Sequence, residues 1–182
     1  MNPDGSADLN TVSLYETASG LRLKYNVIDG RAGTAALKIT SNADDITVTV
    51  GALIGGSENC VDLNNSCRNI AVHCDNYQCR GKYAISAKTC NGVTFSGHIT
   101  GRPTQWHVNL GSWSDQSSAP QTNTKLALTA DHYPILVWVG NALVPDMDCP
   151  AKYKLIGFGR HGTIVRELVM MLWSAAKKLK LA

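Results

Sequence analysis

Charge is scarce in this chain. Asp, Glu, Lys and Arg make up 17% of its 182 residues, well under the quarter usual for soluble domains. Much of the surface must therefore be polar without charge, and Asn, Ser, Thr and Gly fill that role. The net charge of +3 is too small to point to nucleic acid. Long apolar runs are missing too. No stretch reaches the roughly eighteen residues that a membrane span needs. The start, Met1-Asn2-Pro3-Asp4-Gly5-Ser6-Ala7-Asp8, has neither the basic opening nor the apolar run of a secretory signal. Also absent are a Gly-rich phosphate loop, a His-Glu-x-x-His pair and a Gly-x-Ser-x-Gly elbow. No helical pattern separates the apolar segments before residue 150, which argues against a doubly wound α/β fold.

What is present is a repeat. Short apolar alternations recur as Val12-x-Leu14, Leu37-x-Ile39, Val61-x-Leu63, Ile85-x-Ala87, Val108-x-Leu110 and Leu126-x-Leu128. Their first residues lie 25, 24, 24, 23 and 18 positions apart. A second alternation follows eight or nine residues later: Leu21-x-Leu23-x-Tyr25, Ile46-x-Val48-x-Val50, Ile70-x-Val72-x-Cys74, Val93-x-Phe95-x-Gly97 and Ile135-x-Val137-x-Val139. Period two means one inward face per strand. A weaker third strand is marked by Ile28, Leu53, Tyr77, Ile99 and Leu143. Between strands stand Ser19-Gly20, Asp44-Asp45, Arg68-Asn69 and Asn91-Gly92, residue types that accept the left-handed backbone of a tight corner. A unit of about 24 residues with three short strands describes one coil of a parallel solenoid. A β-sandwich also gives short strands at regular spacing, but the repeated offset within units favours the solenoid.

The spacing thus predicts a mainly β fold: a short right-handed parallel β-helix of about six coils over residues 11–145. An N-terminal arm (1–10) precedes it, and a linker with an amphipathic C-terminal α-helix (146–182) follows. Val48, Val72, Phe95 and Val137 should point inward. Ala18, Ala43, Cys67 and Cys90 should form a column of small corner residues, the two cysteines as neighbouring buried thiols. The fifth unit lacks a second alternation, so the segment from Gly111 to Thr124 reads as a loop replacing most of one coil. Its Trp113 and Asp115 are candidates for glycan contact, because loops on rigid scaffolds often carry binding.

The tail has another character. Pro145 and Pro150 mark a boundary, and a helix is expected from about Thr163 to Lys180. Val165, Leu168, Val169, Leu172, Trp173 and Ala176 would line its apolar face and are the candidate partner-binding residues. Lys177, Lys178 and Lys180 sit near its C-terminus, where the helix dipole favours cations. Such a helix could cap the open end of a solenoid, dock onto another subunit or lie on a membrane surface.

Chemistry is harder to find. Cys74 and Cys79 beside His73 suggest zinc superficially, but alternation sends Cys74 inward and His73 outward, so no metal site is assigned. Carboxylate catalysis would need two acids facing one cleft. Asp44, Asp45, Asp62, Asp75 and Asp115 are available, yet no spacing pairs them. No catalytic residue and no cofactor is assigned.

The run Cys90-Asn91-Gly92-Val93-Thr94-Phe95-Ser96-Gly97 resembles the right-handed parallel β-helix proteins of the pectate-lyase and phage-tailspike type. The resemblance spans residues 10 to 145. It implies a fold shared by polysaccharide lyases, glycoside hydrolases and virion spikes, and fold alone does not assign function. A short solenoid with a detachable apolar helix fits a virion structural protein: a phage spike, fibre or head decoration, assembled in the host cytoplasm. It would act as a homo-oligomer, a trimer being favoured, or on capsid or tail proteins. The other readings are a carbohydrate-active enzyme or glycan-binding module, and a bacterial scaffold protein.

Overall fold

A computed structural model of the chain describes residues 10–15, 18–111, 122–132, 135–139 and 153–157. Twelve strands form two parallel sheets. Sheet A stacks β1 (Asn10–Leu14), β3 (Ala35–Ile39), β5 (Asn59–Leu63), β7 (Tyr83–Ala87), β9 (Val108–Leu110), β11 (Ile135–Val139) and β12 (Tyr153–Gly157) in that order. Sheet B stacks β2 (Arg22–Asp29), β4 (Asp44–Ile54), β6 (Arg68–Gln78), β8 (Asn91–Thr100) and β10 (Thr122–Ala130). From β1 to β11 successive strands alternate between the sheets, so the chain winds as a parallel β-solenoid of about 4 turns.

The alternation in sequence sets the register. Leu23, Val48, Val72, Phe95 and Leu126 are lateral neighbours along sheet B. Leu37, Val61, Ile85, Val108 and Val137 are neighbours along sheet A. Val48, Val72, Phe95 and Val137 are fully buried, as expected, but Val137 belongs to the opposite sheet from the other three. Each such side chain taken out of water contributes about 2 kcal/mol before entropy is charged against it.

The corners follow the turn residues. Gly20, Asp45, Asn69, Gly92 and Asn123 occupy equivalent positions in successive coils, and all have φ between 50° and 69°. Gly, Asn and Asp are the residues that enter this left-handed region at least cost. Just before this corner, Ala43, Cys67 and Cys90 form the expected buried column, with Ala18 partly buried above them. Backbone hydrogen bonds tie the column together: Asp44 N–H to Ala18 O, Arg68 N–H to Ala43 O and Asn91 N–H to Cys67 O, each 2.9–3.0 Å.

The expected third strand is the far end of the second. In β4 the buried residues run Ile46, Val48, Val50 and then Leu53, a step of three that moves the inward face to the opposite phase. The same step separates Cys74 from Tyr77 in β6. The strand bends there without losing its ladder, so Ile28, Leu53, Tyr77 and Ile99 form one buried row. β8 has one residue fewer at the bend, and its register with β6 shifts between Cys74 and Asn76. The Tyr77 hydroxyl, buried beside this bulge, donates to carbonyl oxygens of Val72 and Ser96 at 3.1 and 3.2 Å.

The described residues form about 4 turns, and the expected six coils are not confirmed. Leu126-x-Leu128 pairs with Phe95 and Gly97 in sheet B, and Ile135-x-Val137 lies in sheet A. Each belongs to the sheet opposite the one its order suggested. Residues 111–121 connect β9 in sheet A to β10 in sheet B, and 112–121, expected to replace a coil, lie outside the described residues. In the three coils before it the same corner takes three or four residues, 40–43, 64–67 and 88–90. β12 also extends sheet A past Val144-Pro145, where strands were expected to end. The C-terminal helix, with Val165, Leu168, Val169, Leu172, Trp173 and Ala176, lies outside the described residues, as do Trp113 and Asp115. No helix occurs among the described residues, so none there is long and apolar enough to cross a membrane.

Candidate functional site

Polar side chains gather on the outer face of sheet B. Strand alternation turns Thr47, Thr49, Ala71, His73, Thr94 and Ser96 outward, and the register sets Thr49, His73 and Ser96 side by side. His73 Nδ1 lies 2.7 Å from Ser96 Oγ. One outward step along β8, His98 Nδ1 lies 2.8 Å from Thr129 Oγ1 and its Nε2 lies 2.9 Å from Asp131 Oδ1. With the proton on Nε2, His98 donates to the carboxylate and accepts from the hydroxyl. Sequence reasoning turned His73 outward but missed the Asp131–His98–Thr129 line. Its partners are 31 and 33 residues apart, a separation stretched by the longer connection between β9 and β10.

Near the corner between β9 and β10, the same face holds a shallow depression of about 310 Å³ lined by Gly92, Thr94, Asn123 and Lys125. Its shape follows from the corner ladder. Gly92 leaves a gap between the side chains of Asn69 and Asn123, and a Cβ there would come within 2.9 Å of Asn69 Oδ1. Asn123 Nδ2 spans the gap to Asn91 Oδ1 at 2.8 Å. Thr122, the first residue of β10, joins this rim to the segment that carries Trp113 and Asp115.

Among the described residues, the candidate carboxylates Asp44, Asp45, Asp62 and Asp75 do not converge as a catalytic pair, and Asp115 lies outside them. Asp45 is paired with Arg22 at 2.7 Å and Asp44 with Arg68 at 3.3 Å, both at the sheet B corner. Asp62 lies on sheet A and accepts from Asn64 Nδ2 at 3.0 Å. Asp75 sits at the bulge in β6. Cys74 is buried and His73 exposed, as alternation requires. No cluster of three or more His, Cys, Asp or Glu among the described residues could hold a metal ion.

Sheet A carries a second polar row that the sequence did not announce. Lys38, Asp62, Ser86, Asn109 and Trp138 are lateral neighbours on its outward side. Ser86 and Asn109 are buried, and Ser86 Oγ and Asn109 Oδ1 have no hydrogen-bond partner among the described residues. Trp138 stacks on Trp106 with ring centroids 5.7 Å apart. Burial lowers the pKa of the adjacent His107, whose Nδ1 accepts the Leu136 N–H at 3.0 Å.

The fold defines a parallel β-solenoid with polar side chains on the outward sides of both sheets. No family model, curated protein or solved structure matches the chain.

Proposed function

We propose that this chain is a structural component that works by assembly: a virion-associated spike, fibre or head-decoration protein that forms a closed homo-oligomer. The observation that carries this reading is the first coil, which no other described residues cover. Val12, Leu14, Leu21, Leu23 and Tyr25 pack on the core but are only partly buried. The two large hydrophobic residues exposed among the described ones, Tyr15 at 53% and Val27 at 55%, belong to the same coil. β2 is the edge strand of sheet B, and an uncovered parallel edge invites pairing. A closed set of copies, such as the trimer favoured from the sequence, would hide this end without endless growth.

Light scattering after size exclusion tests the reading. The full chain should elute as a discrete oligomer, and Tyr15→Ser with Val27→Asp should shift it to monomer with unchanged β-type circular dichroism. A wild-type monomer at tens of micromolar, or a double variant that assembles normally, contradicts it. The Gly92–Lys125 depression favours a second reading, a glycan-binding module. A monomeric wild type that binds an acidic oligosaccharide, with at least tenfold loss on Lys125→Glu, would support that reading over assembly.

A further inference from the structure

The outward side of sheet A is buried, although no described element lies over it. On its outward row Trp138 and Asn109 are each 4% exposed and Ser86 0%. Trp106 stacks on one face of the Trp138 ring. The described strands otherwise form only two layers, with no third over sheet A. A tryptophan on the bare face of such a solenoid would leave much of its indole in water. The burial is also graded. It is nearly complete at β11, β9 and β7, and falls off toward Asp62 in β5 and Lys38 in β3, both half-buried. The cover therefore enters from the β12 end of the sheet.

The same side is short of hydrogen bonds. Asp62 Oδ1, Ser86 Oγ and Asn109 Oδ1 are buried without a partner among the described residues, and so are Asn59 Oδ1, Trp106 Nε1 and His107 Nε2. All six lie on sheet A or in the two residues that lead into β9, and among the described residues no such atom lies on sheet B. Orphaned polar atoms are rare in folded chains, because each costs roughly 1–3 kcal/mol. Their concentration here marks a surface made to meet polar groups of another segment.

We propose that the chain's own residues 158–182 are that cover, laid across the outward side of sheet A. This segment follows directly on β12, the edge strand of the sheet. The stretch expected to be helical, Thr163 to Lys180, has 18 residues, about 27 Å as a helix. From β12 back to β3 is five strand spacings, about 24 Å. The two lengths match, so a helix that starts over β12 ends near Asp62 and Lys38. Val165 and Leu168, early on its apolar face, cover Trp138. Lys177, Lys178 and Lys180 at its far end bring ammonium donors to Asp62 Oδ1. The residues expected from the sequence to bind a partner thus face this chain's own sheet.

Two measurements on the full chain test this. In the unaltered protein an amine cross-linker should join Lys38 to Lys177, Lys178 or Lys180. A mixture of isotopically labelled and unlabelled chains should show that the link forms within one molecule. The second measurement is native-state alkylation of a Ser86→Cys variant, mapped peptide by peptide. The introduced thiol should react at least tenfold more slowly than one introduced by Thr49→Cys on the exposed face of sheet B. Adding Leu168→Asp with Leu172→Asp should raise its rate at least tenfold, while the buried Cys67 and Cys74 stay protected. The proposal is overturned by the lack of any link to Lys38 within one chain, or by tail links made only to Lys24 or Lys125 on sheet B. A Ser86→Cys thiol still protected when both leucines are replaced also overturns it.

Discussion

Val72→Asp should lower the Tm by roughly 8–16 °C or more, whereas Thr49→Asp should melt within about 2 °C of the parent. Val72 is fully buried between Val48 and Phe95. A carboxylate there loses its water and finds neither cation nor donor in an apolar column. The cost is about 4 kcal/mol or more, a large share of the roughly 5–15 kcal/mol that holds an ordinary domain folded. Thr49 is one strand away and exposed, and its lateral neighbours are Lys24 and His73. An aspartate there stays hydrated and sits beside a cation, so the change should fall within about 0.5 kcal/mol. Thermal melts followed by circular dichroism make the comparison. Equal shifts for the two variants would mean the inward and outward faces are wrongly assigned.

Gly97→Ala should be nearly as damaging, although it adds one methyl group. Gly97 has φ 133°, a region that side-chain-bearing residues rarely enter. A Cβ there would fall 1.6 Å from the Cys74 carbonyl oxygen and 3.3 Å from the Tyr77 ring. Backbone must therefore move at the bulge that re-phases the inner face. The expected loss is about 3 kcal/mol, roughly 6–12 °C in Tm. Gly20→Ala is the control. Gly20 also has positive φ, 66°, but a Cβ there meets nothing within 4 Å, so only the conformational cost of about 1 kcal/mol remains. A Gly97→Ala variant as stable as Gly20→Ala would remove the bulge from the account.

The legible parts of this fold are those that repeat. Period-two alternation exposed the strands, and the column from Gly20 to Gly92 exposed a corner, because few residue types tolerate that backbone. The bend inside the long strands of sheet B was read as a strand break. A step of three, as from Val50 to Leu53, looks the same in sequence whether the ladder stops or turns. The last coil failed for a related reason. Leu126-x-Leu128 and Ile135-x-Val137 are short apolar alternations of the same kind. Only knowing that one corner takes a longer connection assigns each to its sheet. That connection also hid the Asp131–His98–Thr129 line, since partners 33 residues apart do not match a unit of about 24. The His73–Ser96 contact was within reach, being one regular coil step, 23 residues, across the same face.

Everything proposed for this chain depends on the lateral register of its coils. Methyl and aromatic NOEs measure that register directly in protein labelled at Val, Ile, Leu and Phe. The account predicts cross-peaks from Val48 to Val72 and from Val72 to Phe95 along sheet B, and from Leu37 to Val61 to Ile85 along sheet A, together with the backbone pattern of parallel pairing. Antiparallel cross-strand NOEs between strands adjacent in sequence, with no peaks linking these columns, would describe a sandwich and contradict the solenoid.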